Sequence, residues 1–435
     1  MRIWRDEMNR NVCALSLLAI LIVISLLPTF PTEVASAAGA VRDFYVTTEY
    51  ELGGSGYNVF LPQTLVVEEG DQVNITVRNV GTESFTLNIE GQSSVAIQPG
   101  SQSASGIQPE DTDVPVFTAS NAGIFSFSAD KFPEMNGQIV VLPTDVSSYN
   151  PSTQTRSFTQ LVLPDFAGDG YDKFFPGVIV VNQGDTVNVS IRNTDDAPHG
   201  FAIAAYDLNV AINPGQDQSN GSITPYTTAV QPFTASKAGV FRWFCTTPCG
   251  PGHFEMVGQL VVLPTQGTVY NPDINTLYSY LTIKPDFAGS NYSKYVPEII
   301  FANQNDFVYI KVRNTDVNAY SFSMSGYSVN NLAISAGNAS DPSITYIPPS
   351  SLYANTAGVF EFGCSSNCTL ASRQMNGYLV VLPTQSGTSA SPSPQTTSGA
   401  FPLSLLVLLS IALLIVGVLI GAILAARFNR EKTAT

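Results

Sequence analysis

Residues 187–193 read Val-Asn-Val-Ser-Ile-Arg-Asn, and the same pattern recurs as Val-Asn-Ile-Thr-Val-Arg-Asn at 73–79 and Val-Tyr-Ile-Lys-Val-Arg-Asn at 308–314. Apolar β-branched residues alternate with polar ones at a period of two, which predicts a strand with one buried face. Each copy follows an aromatic run ending in proline, beginning at Tyr57, Tyr171 and Tyr292. Each is followed by Ala-Gly-(Ile/Val)-Phe, beginning at Ala122, Ala238 and Ala357. Each unit closes with Met-x-Gly, at Met135, Met256 and Met375, and a strand ending Val-Val-Leu-Pro-Thr. A period of about 115–120 residues is too long for a solenoid repeat and matches a whole domain. Short strands, Gly/Pro/Asn turns and the absence of an amphipathic helix pattern predict an all-β chain of three tandem Greek-key β-sandwiches. The expected domains are 41–145, 152–266 and 271–385.

The two ends read differently. Arg2, Arg5 and Arg10 precede an apolar run from Val12 to Leu27, and Ala35-Ser36-Ala37 follows. This is the plan of a signal peptide over 1–37, with an uncleaved anchor as the alternative; Cys13 would leave with a cleaved leader. Residues 401–426 carry no charge and are long enough to span a bilayer. Arg427, Arg430 and Lys432 then place the tail 427–435 in the cytoplasm. Residues 386–400, rich in Ser, Thr and Pro, read as a flexible stalk. The expected product is a single-pass cell-membrane protein with its domains on the extracytoplasmic side. Asn74, Asn188 and Asn291 open glycosylation sequons, a pattern with many false positives.

Over the 435 residues the net charge is −15 and only 12% of residues are charged. That balance argues against nucleic acid as a partner and favours a basic one.

Chemistry concentrates in one loop. Cys245 to Met256 read Cys-Thr-Thr-Pro-Cys-Gly-Pro-Gly-His-Phe-Glu-Met, and the chain has just two histidines, His253 in this loop and His199 upstream. Thiolate, imidazole and thioether together suit copper. A Cys245–Cys249 disulfide and a Cys2His2 zinc site are the other readings of the same residues.

This spacing, with His199-Gly200-Phe201 upstream, resembles the CuA centre of cytochrome c oxidase subunit II, shared with the cupredoxin domain of nitrous oxide reductase. The resemblance implies a cupredoxin-like fold and a binuclear copper centre. Cys245 and Cys249 would bridge two coppers, with His199 and His253 each capping one. Met256 and the carbonyl of Thr247 would be weak ligands on opposite sides. Trp243, just before the loop, is a candidate point of electron uptake, with core packing as the alternative. No ligand position is left for substrate, and no histidine remains for a catalytic copper site, so the chain is not expected to be a catalyst alone. The implied role is an electron-transfer subunit of a terminal oxidase or other respiratory complex. Its donor would be a small copper protein or cytochrome, and its acceptor a respiratory complex or reductase. A mononuclear blue-copper carrier using His199, Cys249, His253 and Met256, a copper-delivery protein, and a surface protein without metal are the alternatives.

The sequence departs from subunit II in two ways. That family begins with two transmembrane helices, which this chain lacks in that place. Thr247 also stands where the family usually has a glutamate that helps bind magnesium. Among the repeats, the third has Tyr320 at the position of His199 and Ser372 at that of His253. It keeps Cys364, Cys368 and Met375, so a Cys364–Cys368 disulfide or a decayed site is expected there, with an unusual metal site that includes Met375 as the alternative. The first keeps only Met135.

Overall fold

The computed structural model describes residues 39–384, apart from 105, 220, 269, 291, 348–351 and 366–374. The expected leader, stalk, apolar span and tail lie outside the described residues, as do Cys368 and Ser372. Among the described residues no helix is long and apolar enough to cross a membrane.

The described residues form β-sandwiches joined by turns and short 3-10 segments. The repeated heptapeptide forms the strands Gln72–Asn79, Thr186–Asn193 and Phe307–Asn314. In the middle copy burial alternates residue by residue, with Val187, Val189 and Ile191 in the core. Each copy pairs in parallel with the long strand before it: Val41–Glu49, Thr155–Leu163 and Thr276–Lys284 respectively. Facing the middle sheet is a five-stranded one, ordered Val178–Asn182, Val257–Leu263, Gly239–Phe244, His199–Ile203 and Leu208–Ile212.

The closing Val-Val-Leu strands do not alternate, and the packing explains why. Leu260 and Val262 fill the middle core, whereas Val261 and Leu263 join a cluster that holds the core of the first sandwich. A strand covered on both faces reads as a continuous apolar run.

The last two residues of the heptapeptide have separate duties. Arg192 of the second sandwich donates to Ser55 O of the first at 2.7 Å and lies over the Tyr57 ring. Arg78 of the first donates to Ser290 O of the third at 2.8 Å and lies 3.9 Å from the Tyr292 ring centre. Arg313 of the third lies 3.3 Å from the Tyr171 ring centre of the second. Each sandwich therefore grips the next, and the contacts close in a cycle. Leu61, Leu163, Phe166, Phe175, Phe287 and Val296, drawn from all three, pack in one apolar cluster. The asparagine works inside its own sandwich. Asn193 donates to Ala197 O and Asn213 O at 2.9 and 3.0 Å, and its Oδ1 accepts from Asp195 N. This ties down the loop that leads into His199.

Candidate metal centre

The strands Gly239–Phe244 and Val257–Leu263 pair antiparallel, with Phe244 opposite Val257, so residues 245–256 form the connecting loop. Cys245 N donates to Met256 O at 3.1 Å and closes that loop at its base. A 3-10 turn, His253–Glu255, shapes its far half, and Met256 N bonds Gly252 O at 3.1 Å. His199 begins the neighbouring strand His199–Ile203, whose Ala202 pairs with Phe244. Gly200 permits the close approach of the two segments: a Cβ there would meet Thr246 Oγ1 at 2.0 Å.

The fold brings all six expected donors together. The sulfurs of Cys245 and Cys249 are 3.5 Å apart. His199 Nδ1 is 3.9 Å from Cys245 Sγ, and His253 Nδ1 is 3.6 Å from Cys249 Sγ. Met256 Sδ lies 3.9 Å from Cys249 Sγ, while Cys245 Sγ stands 3.1 Å from Thr247 O. The arrangement is thus two sulfurs in van der Waals contact, each with its own imidazole and its own weak donor. His199, Cys245 and Met256 are buried.

The electrostatics favour a thiolate at this position. The Cys245 thiol is lowered to about 3, first by the bond from Cys249 and then by His199 and the Gly200 and Thr247 backbone. Cys249 is pushed up by that neighbouring thiolate and by burial. Burial alone would lower the His199 imidazole, but Asp195 and Cys245 lift it to about 9. Asp195 accepts from His199 Nε2 at 2.9 Å, so this carboxylate aims Nδ1 at the sulfurs. The signal for Asp195 was present in the sequence: an aspartate stands four residues before the ligand position in both the second and third repeats.

Soft thiolates, imidazoles and a thioether in a preformed buried cluster fit copper, and both sulfurs are free cysteines rather than a disulfide. Among the described residues, two trios of side chains hold their donor atoms within 4.8 Å of one another: His199 with Cys245 and Cys249, and Asp172 and Asp195 around the same imidazole. Of the two readings of Trp243, its environment fits core packing: Trp243 is completely buried, with its ring 5.9 Å from that of Phe201. Within the loop, Phe254 is 78% exposed beside His253. It borders an open cleft with Phe244, Cys245, Thr246 and Arg242.

The third sandwich repeats the frame without the site. Cys364 N bonds Met375 O at 3.3 Å, as Cys245 N bonds Met256 O. Tyr320 takes the place of His199, opposite Ile334 as His199 is opposite Ile212. Its hydroxyl bonds Asp316 Oδ2 and the Ser293 hydroxyl. Cys364 is disulfide-bonded. In the first sandwich Met135 is a core residue, fully buried.

Fold and donor set together define a cupredoxin-like β-sandwich protein. No family model matches the chain. It is similar to the nitrous-oxide reductase of Stutzerimonas stutzeri, 32% identical over 126 residues, which are 28% of this chain and 17% of that protein. It is also similar to the nitrous-oxide reductase of Pseudomonas fluorescens, 38% identical over 139 residues, 31% of this chain and 19% of that one. The chain thus spans less than a fifth of the length of these curated relatives. Among solved structures, the copper-containing nitrite reductase of Thermus scotoductus SA-01 aligns over 79% of this chain and 99% of its own at 14% identity and a TM-score of 0.22.

Proposed function

We propose that this chain is an electron carrier with a binuclear copper centre of the CuA type. Cys245, Cys249, His199 and His253 would hold the copper, with Met256 and the Thr247 carbonyl as weaker ligands. The observation that carries the reading is the pair of sulfurs 3.5 Å apart, each facing its own imidazole. A mononuclear site would leave one free sulfur in contact with its ligand cysteine. The likeness to nitrous-oxide reductases supports copper as the metal.

Copper bound here would supply a one-electron couple shared between two ions. The chain's own contribution is rigidity. The hairpin, the bond closing the loop and the Asp195–His199 pair hold the donors fixed, which keeps reorganisation on electron exchange small. Electrons would cross at the cleft beside Phe254, which His253 also lines. The reading includes three cupredoxin-like domains carried on the outer face of the membrane by the segment 401–426. Its partners would be a redox protein as donor and a respiratory complex or reductase as acceptor.

The test is to load the full chain with copper in detergent and measure metal content, optical and EPR spectra. About two coppers per chain with a seven-line EPR signal is expected, because an unpaired electron shared by two copper nuclei couples to both. One copper with an intense blue band would replace the binuclear reading with a mononuclear one. A protein that takes up no copper would overturn both.

A further inference from the structure

The copper loop is held from outside its own sandwich. Glu255 stands between the expected ligands His253 and Met256 and closes the 3-10 turn that carries them. Its side chain is only 12% exposed and meets two cations from the third sandwich. Lys311 Nζ donates to Oε1, and Arg313 Nη2 donates to Oε2 at 2.8 Å. Arg313 is 3% exposed and stands 3.4 Å from Asp169 Oδ2. It also covers the Tyr171 ring, which packs against Gly252 so closely that a Cβ there would meet the ring at 2.5 Å. One guanidinium therefore supports the loop through a carboxylate on one side and through an aromatic ring on the other.

The other interfaces in the same molecule act as internal controls. Lys311 corresponds in the repeat to Thr76 and Ser190, so the second cation is peculiar to this interface. The first sandwich has its own glutamate before the methionine, Glu134, yet that residue accepts from Asn58 within the same sandwich at 2.8 Å. Arg192, which reaches that sandwich from the second, bonds Ser55 O. A double cationic grip on the loop carboxylate thus occurs, among the described residues, where the loop carries the donors. A buried charge pair with matched geometry is rigid, and removing one partner strands the other in a poorly solvated site.

We propose that Lys311 and Arg313 of the third sandwich are positioning residues for the copper loop. By holding Glu255 they fix the turn 253–255, and with it the His253 imidazole and the Met256 thioether against Cys249. The third sandwich, which lacks the histidines, is on this reading a structural part of the copper centre. The inference rests on the copper reading above.

The test uses the full copper-loaded chain and compares wild type with Lys311→Gln, Glu255→Gln, Lys311→Arg and Arg192→Gln. Copper release from the reduced protein to excess bathocuproine sulfonate is timed, the EPR hyperfine pattern of the oxidised protein is recorded, and apo-protein melting is followed in parallel. Lys311→Gln and Glu255→Gln should each speed release by about tenfold, the scale seen when an outer partner of a metal ligand is lost, and alter the hyperfine pattern. Lys311→Arg should restore both, and Arg192→Gln should leave both as in wild type. Release within about twofold of wild type in the two glutamine variants would overturn the proposal. So would equal acceleration in Arg192→Gln, which would show that loosening any interface has the same effect. A wild-type protein without copper would take down the copper reading and this inference together. A single blue copper would remove only the binuclear assignment and leave the release comparison decisive.

Discussion

The second and third sandwiches start from the same frame and put it to different uses. In both, the heptapeptide asparagine organises the loop before the ligand strand, Asn193 through Ala197 O and Asn213 O, Asn314 through Asn318 O and Ser335 O. In both, an aspartate four residues ahead bonds the residue at the ligand position, His199 in one and Tyr320 in the other. Histidine leaves a second nitrogen aimed at two free sulfurs, whereas tyrosine spends its one hydroxyl on Asp316 and Ser293, and Cys364 is tied up in a disulfide. The scaffold is therefore separable from the chemistry. What makes a centre is a side chain with a second donor atom and cysteines left reduced.

The largest effect expected of a change that breaks this difference is at the paired sulfur. Cys249→Ser should reduce copper from about two ions per chain to one or none and abolish the seven-line EPR signal, because no second thiolate remains to bridge. Retention of two coppers with an unchanged spectrum would show that Cys249 is not a ligand.

A smaller effect tests the aspartate shared by both sandwiches. Asp195→Asn keeps a hydrogen-bond acceptor but removes the charge behind His199. Copper affinity, measured by competition with a chelator, should fall about tenfold. The matching change Asp316→Asn in the third sandwich should leave copper affinity unaltered. Equal losses from both would make the aspartate a fold element and not a ligand support.

The smallest effect sharpens the comparison at the centre of the interface. After the proline of each aromatic run stand Gln63, Gly177 and Glu298, lining one small shared cavity. Burial raises the Glu298 carboxyl to about 7, only partly countered by Lys294 at 3.1 Å. The native state thus binds this proton more tightly than the unfolded chain does. Its contribution to stability is full below the ordinary carboxylate range, declines as pH rises from about 4.5 to about 7, and stays lost above. Glu298→Gln should flatten the decline in melting temperature across that window by a few degrees. An unchanged slope would show that Glu298 stays ionised throughout, compensated by Lys294.

Much of the site was legible because its signals are local. Cys245, Cys249, His253 and Met256 fall on one loop, and His199 is the chain's other histidine. Strand periodicity found Thr186–Asn193 because a half-buried strand must alternate. Sequence alone left Trp243 open between electron uptake and core packing, since alternation along a strand does not reveal which of its two faces is covered. The role of Glu255 between two expected ligands is not legible in the sequence, because its cations stand 56 and 58 residues away in the chain.

The sequence by itself determined the donor types, their spacing and the strand period, all of which depend on residues close along the chain. Only the tertiary structure decided that the two sulfurs each meet an imidazole, that the Val-Val-Leu strands are covered on both faces, and that Lys311 and Arg313 close on Glu255. Those outcomes depend on which surfaces meet when sandwiches pack, and buried area and charge pairing at such contacts are properties of distant segments brought together.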